Sequence, residues 1–237
     1  AGVGCGFSRD MLTVFARNSA GSGAEGPFAT ECLTEDYELG LLVTRSGARS
    51  QFLRLRDHVG GLVATRSYFP SKLDDSVRQK ARWIHGIAFQ GWDRLGWQGG
   101  PIELWMALRD RRGPLTAVVL AAAYLLLVIE GGLGIARLAG WQEEIVLSPT
   151  LKAMLVISFC AFVWRSLWRF SLTAREYGLI EGLRGVLRIP VANVISIMAG
   201  RRALWAYIQT LRGSEVNWDK TEHRQHPADK IVKTVPQ

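Results

Sequence analysis

An apolar run over residues 115–129, continued by residues 131–138, is the feature that most constrains the fold of this chain. A helix needs about 20 predominantly apolar residues to cross the hydrocarbon core of a bilayer. The run therefore predicts a transmembrane helix. A shorter run over residues 151–164 predicts a second one, because Lys152 and Arg165 can extend their charged groups to the interface. A buried core helix is the alternative for this shorter run.

The net charge of +8 follows the apolar runs rather than one soluble face. Arginines gather on the flanks of these runs, at Arg109, Arg111, Arg112, Arg165, Arg169 and Arg175. Cytoplasmic loops of membrane proteins carry an excess of Lys and Arg, whereas the loop between the two runs carries Glu143 and Glu144. We therefore predict that the soluble part faces the cytoplasm, and that the charge serves a membrane surface and not nucleic acid.

Several side chains with reactive groups carry no recognisable site. The cysteines are odd in number and lack CxxC or CxH spacing, so they predict neither a disulfide framework nor a zinc site: Cys5, Cys32 and Cys160. His223 and His226 lack a third metal ligand and are interpreted as solvated. Glu130, inside the first apolar run, has two interpretations: a polar pathway through the membrane, or a carboxylate that reaches the headgroups.

Composition divides the chain into four regions. Residues 1–112 mix polar and apolar residues as a soluble domain does, and residues 113–176 hold the two predicted spans and their loop. Residues 177–212 predict an amphipathic stretch, in which Pro190 is placed to start a helix. Its apolar side chains recur at helical spacing: Val191, Val194, Ile195, Met198, Trp205 and Ile208. We expect this helix to lie in the membrane interface or to pack against the spans. Residues 213–237 are polar and predict a linker.

The tripeptide Thr34-Glu35-Asp36 precedes a predicted helix over residues 37–46, which Gly47 ends at its C′ position. Acidic side chains at the start of a helix interact favourably with the positive end of the helix dipole. This interaction would explain Glu35 and Asp36 without any catalytic role. Sugar transfer to a hydroxyl, however, needs a base that removes the acceptor proton as the new C–O bond forms. Asp36 is the candidate for this base.

A second group of polar and aromatic residues lies in a long helix predicted over residues 71–97, with Ser71 and Asp74 in a capping arrangement. The motif residues follow one another at i, i+3 and i+4, so their side chains leave one face of the helix: Gln79, Arg82 and Trp83. An indole can stack on a pyranose ring and a guanidinium can neutralise a diphosphate. A core or interface anchor is the alternative role for the indole.

The two motifs occur in a spacing and order that resemble a known family. Gln79-xx-Arg82-Trp83 follows Asp36 by 43 positions and precedes the predicted spans. This arrangement resembles membrane-integrated family 2 glycosyltransferases, such as bacterial cellulose and hyaluronan synthases. Four stretches resemble the NfrB (phage adsorption protein B) group of that family: residues 4–9, 64–70, 78–97 and 218–223.

The resemblance implies a fold and a role for each motif residue. The fold is α/β: the C-terminal part of a GT-A (nucleotide-diphospho-sugar transferase) domain, followed by transmembrane and interfacial α-helices. Asp36 matches the family's catalytic base, with Glu35 beside it in the Thr-Glu-Asp motif that Thr34 begins. Gln79, Arg82 and Trp83 match the QxxRW motif, and together with Thr34 they are the implied acceptor- and diphosphate-binding residues. A loop that lines the acceptor site matches Gly4, Cys5 and Gly6.

The resemblance also implies partners. They are a nucleotide-sugar donor, a glycan acceptor and the lipid bilayer of a bacterial inner membrane. The family binds a divalent metal, Mg or Mn, through a DxD motif, and this sequence contains no DxD and hence no metal site of that kind. The chain also begins without Met, on a glycine-rich segment. We therefore expect that the donor-binding half precedes Ala1, that the fragment alone is inactive, and that cyclic di-GMP acts only through a domain outside it.

Two functions follow from these expectations. The first is a hexosyltransferase that adds a sugar from a nucleotide-sugar donor to a growing polysaccharide or glycan, with Asp36 as general base. The alternative is a non-enzymatic membrane component for phage adsorption or polysaccharide export, in which the transferase core is degenerate. Intact motifs at residues 34–36 and 79–83 favour the enzyme.

Overall fold

The computed structural model describes residues 5–20, 32–63, 70, 72–141 and 146–214. These residues form α-helices joined by turns and irregular segments. The helices are α1 (Arg9–Ala20), α2 (Glu35–Arg45), α3 (Leu73–Ile84), α4 (Gly91–Leu95), α5 (Pro101–Arg111), α6 (Gly113–Leu138), α7 (Pro149–Tyr177), α8 (Leu179–Leu187) and α9 (Ile189–Leu211), with a π-helical segment π1 (His85–Gln90) between α3 and α4.

Within the described ranges the backbone forms no β-strand, and the sole sheet-like pairing there is an antiparallel bridge between Arg56 and Leu62. The helical part of the predicted fold is therefore present. The strand part of the α/β prediction is not confirmed by these residues and stays a prediction.

The chain divides into two compact units. One comprises Ala1–Thr116 together with Met198–Gln237, and the other comprises Ala117–Ile197. The first unit contains both sequence motifs, and the second contains most of α6, all of α7 and α8, and the beginning of α9. The four-region division made from the sequence stays a prediction, although α6 does begin at the predicted position, Gly113.

The first unit is organised along one long helix. α3, π1 and α4 follow one another without a break from Leu73 to Leu95, close to the predicted range of 71–97. Its start differs from the prediction: the N-cap residue is Lys72, which makes no side-chain cap, and Ser71 lies outside the described residues. Asp74 forms an ion pair with Arg78 at 3.0 Å instead of capping the helix. The π-helical turn had no counterpart in the sequence prediction.

A small hydrophobic core joins α1 to α2. Phe15 of α1 is buried against Leu39 and Val43 of α2, and Phe7 packs edge to face on Phe15 with ring centroids 5.9 Å apart. α2 ends as the sequence predicted, because Gly47 has φ +73 and the Gly47 and Ala48 amides donate to the carbonyls of Thr44 and Val43. Apolar packing against α1 thus stabilises one side of α2, and the hydrogen bonds from Gly47 and Ala48 stabilise its C-terminal end.

Two arginines hold the C-terminal end of the long helix. Arg111 of α5 donates to the Gly91 carbonyl at 2.8 Å and to the Gly96 carbonyl at 2.7 Å, and its guanidinium lies 4.8 Å from the Trp97 ring centroid. Arg45 of α2 donates to the Leu95 carbonyl at 2.9 Å. These donors bind carbonyls of the last helical turn and of the residue that follows it, and thereby stabilise the end of the helix.

The role predicted for Arg111 is therefore incomplete. The sequence placed it among the cations that flank a membrane helix, yet its side chain is only 7% exposed. A buried guanidinium is costly unless its donors are satisfied, and backbone carbonyls satisfy two of them here. Arg111 is a structural residue of the first unit.

The second part of α9 packs against another side of the long helix. Its buried residues are Ala199, Gly200 and Ala203. Tyr207 stacks on Phe89 with ring centroids 4.3 Å apart. Residues 177–212 hold the helices α8 and α9, and this part of α9 packs against protein. The amphipathic and interfacial character of the region stays a prediction.

α9 also makes polar contacts with the long helix, near both the N-terminal and the C-terminal end of that helix. The Tyr207 hydroxyl donates to Asp93 at 3.3 Å, and Arg202 lies 3.9 Å from Asp74. His85 lies between the two helices, and burial lowers the pKa of its imidazole because the charged form loses its hydration.

α6 and α7 are long and apolar enough to cross a membrane, and neither apolar segment is covered by the rest of the protein. α7 is longer than the predicted run of 151–164, and it begins where the Ser148 hydroxyl accepts from the Leu151 amide. α8 and α9 would add a third crossing only if the pair, bent by 41°, is one span. Glu130 in α6 forms an ion pair with Arg137 at 2.8 Å, which lowers the cost of a carboxylate in an apolar segment.

The buried Arg111 leads to a prediction about stability. We expect Arg111→Met to lower the free energy of unfolding by about 2–4 kcal/mol, because the carbonyls of Gly91 and Gly96 lose charged donors. The melting temperature of the purified chain in detergent measures the effect. Arg109→Met, an exposed position on the same helix, is the control and should change stability by less than about 0.5 kcal/mol. Equal melting temperatures for the two variants would contradict the structural role of Arg111.

The buried thiol of Cys32 leads to a second prediction. Burial and the neighbouring Glu38 carboxylate raise the pKa of Cys32 to about 11, so the reactive thiolate is scarce at pH 8. We expect iodoacetamide to label exposed Cys5 rapidly and Cys32 slowly in the native protein, with Cys32 labelled once the protein is denatured. Peptide mass spectrometry measures the two sites. Equal labelling rates in the native state would show that the turn before α2 is not buried.

Candidate functional site

The Thr-Glu-Asp motif forms the turn that enters α2. Thr34 is the N-cap residue, and its carbonyl accepts from the amides of Tyr37 and Glu38 at 3.1 and 3.2 Å. Glu35 and Asp36 are the first two residues of the helix, where their charges favour the helix dipole. The predicted helix after the motif is confirmed, and it starts two residues earlier than predicted.

The three motif side chains differ in exposure. Thr34 is 4% exposed, Glu35 is exposed, and Asp36 is half-buried. The Asp36 carboxylate accepts from the Tyr37 amide at 2.9 Å through one oxygen, Oδ1. Oδ2 accepts no hydrogen bond within the described residues, so this carboxylate retains an oxygen that can accept a proton from a substrate hydroxyl.

The QxxRW residues all lie on α3, as the sequence predicted. Gln79 and Arg82 are half-buried and Trp83 is 38% exposed, whereas Val77 and Ala81 on another side of the helix are buried. α-Helical geometry through Ile84 places the three motif residues on one face. The helix therefore presents an amide, a guanidinium and a partly exposed indole together.

The two motifs meet on this helix. A Cβ added to Gly86 would lie 2.5 Å from the Thr34 hydroxyl oxygen, so the Thr34 side chain rests directly on the helix backbone there. Gly86 follows Arg82 by four residues and Trp83 by three, which puts it one turn beyond them on the same side. The turn that carries Asp36 thus docks next to the QxxRW face.

Two polar contacts hold the docked turn. The Leu33 amide donates to the Gln90 side-chain oxygen at 3.1 Å, and Glu38 pairs with Arg94 at 3.2 Å. Both contacts join residues more than 50 positions apart in the sequence. The structure therefore brings Thr34, with the two residues that follow it, to the helix of Gln79, Arg82 and Trp83 through neighbouring residues.

Sequence reasoning missed the residues that make this junction: Gly86, Gln90, Glu38 and Arg94. A signal for two of them was present, because Gly86 and Gln90 follow Trp83 by three and seven residues, the spacing of one helical face. Nothing in the spacing indicated which segment this face contacts. The partner became visible only with the tertiary structure.

The predicted acceptor loop is only partly described. Gly4 lies outside the described residues, and Cys5 and Gly6 are exposed in an irregular segment before α1. The described residues place no heavy atom within 4 Å of a Cβ built on Gly6. The role of this loop stays a prediction.

The family implies a divalent metal, and the residues that the structure describes do not fit one. Among the described residues, no group of three or more His, Cys, Asp or Glu side chains is arranged to hold an ion. The sequence also contains no DxD motif, and His223 and His226 lie outside the described residues.

A cavity of about 640 Å³ lies elsewhere on the same helix, between α3 and α9. Its walls are mainly apolar with three charged residues at the rim, and comprise Asp74, Val77, Met198, Arg201, Arg202, Leu204, Trp205 and Ile208. Asp74 and Val77 belong to the side of α3 that faces α9. The cavity is thus separate from the motif face.

Comparison with known proteins places the chain among glycosyl transferases. Residues 1–164 match the family described as glycosyl transferase family group 2. Bacteriophage adsorption protein B of Escherichia coli (strain K12) is 31% identical over an alignment of 245 positions, which covers 94% of this chain and 32% of that protein. Bacteriophage N4 adsorption protein B of Escherichia coli O157:H7 gives the same values.

The chain spans about a third of the length of these curated relatives. No solved structure matches it. The family match includes both motifs and α6, and the relatives align with nearly the whole chain, in agreement with the resemblance found from the motifs. The chain belongs to the glycosyl transferase family group 2.

Proposed function

We propose that this chain forms the base and acceptor side of an inner-membrane glycosyltransferase. The reaction moves a hexose from a nucleotide-sugar donor to a hydroxyl of a growing glycan. The observation that carries the proposal is the junction of the two motifs: Thr34 rests on Gly86, one turn beyond Arg82 and Trp83. A carboxylate can act as the base, a guanidinium can neutralise a diphosphate and an indole can stack on a sugar ring.

In the proposed reaction, Asp36 accepts the proton of the acceptor hydroxyl as its oxygen attacks the anomeric carbon of the donor sugar. The bond from this carbon to the nucleotide diphosphate breaks, and the electron pair leaves with the diphosphate. Arg82 neutralises the charge that develops there, and Trp83 stacks beneath the acceptor sugar. Thr34, Glu35 and Gln79 complete the two motifs, and Cys5 with the neighbouring glycines lines the acceptor path.

Location and fold belong to the same proposal. The arginines that flank α6 and α7 support a first unit on the cytoplasmic side of a bacterial inner membrane, where nucleotide sugars are made. Helices α1 to α5 then belong to the C-terminal part of an α/β GT-A domain, whose donor half and divalent metal lie outside this chain. The part of α9 that does not pack on the long helix lies in the membrane interface in this proposal.

A second function is favoured by the names of the relatives, which are bacteriophage adsorption proteins. In this alternative the chain is part of a membrane component for phage adsorption or glycan export, and the transferase motifs are not used. The two proposals differ in one requirement: only the enzyme needs a proton acceptor at position 36.

We expect Asp36→Asn to reduce sugar transfer at least about 100-fold, because the amide cannot take the acceptor proton. The assay uses inner membranes that contain the full-length protein, supplied with radiolabelled UDP-glucose, UDP-galactose or UDP-N-acetylglucosamine, and measures label in glycan. Asp10→Asn, an exposed carboxylate of the same unit, is the control and should keep its activity. Full transfer by a normally expressed Asp36→Asn protein would favour the non-enzymatic alternative.

The stacking role of Trp83 is tested separately. We expect Trp83→Ala to raise the acceptor KM about tenfold, the equivalent of about 1.4 kcal/mol, while Trp83→Phe keeps most of the ring contact. Trp105→Ala removes an indole that is 66% exposed on α5 and should leave the KM unchanged. An unchanged acceptor KM with a lower melting temperature in Trp83→Ala would identify the indole as a packing residue instead.

A further inference from the structure

The position of Asp36 depends on a very short piece of chain. Leu33 and Thr34 form a buried turn, and α2 starts at the next residue, so only Thr34 and Glu35 separate Leu33 from the proposed base. A displacement of the Leu33 backbone would therefore carry the start of α2 with it. The contacts of the Leu33 backbone therefore determine the position of the Asp36 carboxylate.

Leu33 is held by one long-range hydrogen bond. Its amide donates to the Gln90 side-chain oxygen at 3.1 Å, across 57 positions of sequence. This amide precedes α2, so helix formation gives it no acceptor, and Leu33 is only 8% exposed. A buried amide without an acceptor is costly, which makes the Gln90 oxygen a strong determinant of this turn.

The other contacts that hold this region act beside the Leu33 backbone and not on it. Thr34 touches Gly86 through van der Waals contact, and the Thr34 hydroxyl makes no hydrogen bond within the described residues. The pair of Glu38 and Arg94 joins side chains and is partly exposed on the arginine side, and Glu38 lies within α2, after Asp36. Of these contacts, the hydrogen bond from the Leu33 amide to Gln90 is the one that acts on the backbone before Asp36.

Gln90 is also well placed to relate the two motifs. It is the last residue of π1 and belongs to the same continuous helix as Gln79, Arg82 and Trp83. Through its side chain, the rigid helix backbone that carries the QxxRW residues is linked to the backbone three residues before Asp36. A π-helical turn often occurs at a functional site, and here it ends at the residue that forms this link.

We propose that Gln90 is a positioning residue: by accepting the Leu33 amide, it sets the Asp36 carboxylate relative to the acceptor site on α3. The inference rests on the proposed function, since it needs Asp36 to be the base. It adds to that function a residue outside both motifs, which contacts neither sugar nor diphosphate and acts through the turn.

The test compares three variants of the full-length protein in inner membranes. Gln90→Met keeps the size and loses the acceptor oxygen, whereas Gln90→Glu keeps an oxygen that can accept from the Leu33 amide. Gln98→Met, an exposed glutamine of the same unit, is the matched control. Two measurements are made: kcat and KM for sugar transfer from the labelled UDP-sugar that the wild type uses, and hydrogen exchange of the backbone over residues 32–37.

We expect Gln90→Met to lower kcat about 10- to 100-fold with a donor KM close to that of the wild type, because a small misplacement of a base slows the chemical step. Amide exchange over residues 32–37 should become faster in the same variant. Gln90→Glu should restore both values to near the wild type, and Gln98→Met should change neither. This pattern would not arise from a general loss of folded protein, which lowers kcat and the amount of active enzyme together.

Two results would overturn the proposal. Unchanged exchange over residues 32–37 in Gln90→Met would show that Gln90 does not hold the turn. Faster exchange with full kcat would show that the turn does not set the base. Failure of the proposed function looks different: Asp36→Asn would then retain transfer, while Gln90→Met would still show faster exchange.

Discussion

The contact between the Thr34 turn and the helix backbone at Gly86 is the constraint on which the candidate site depends. A side chain at position 86 would occupy the space of the Thr34 hydroxyl, so the two segments can meet only because this residue is glycine. Once they meet, Leu33 reaches Gln90 and Glu38 reaches Arg94. The two motifs become one site through these neighbours.

The long helix from Leu73 to Leu95 contacts α2, α5 and α9 within the first unit. One side carries the QxxRW residues and receives the Thr34 turn, while another contacts Arg202 and Tyr207 of α9. Its C-terminal end is closed by Arg45 and Arg111, which come from the helices before and after it. A helix constrained on three sides is a rigid base for binding groups, which catalysis requires.

Much of this could be predicted from the pattern of the residues. Apolar length predicted α6 and α7, the helical spacing of Gln79, Arg82 and Trp83 predicted their common face, and Gly47 predicted the end of α2. Each of these features depends on local geometry, which a sequence window contains. The role of Arg111 was missed because a buried and a membrane-flanking arginine look alike in sequence; only its contacts with two distant carbonyls distinguish them.

The sequence by itself therefore determined two helices long and apolar enough to cross a membrane, the motif helices and the family to which the motifs point. The tertiary structure decided that the turn before Asp36 rests on Gly86, that Gln90 holds it, and that α9 packs on the other side of the same helix. The physical reason is the separation in sequence of the residues that interact. Hydrophobic length and helical period are local properties, whereas a hydrogen bond across 57 residues depends on how separate segments pack.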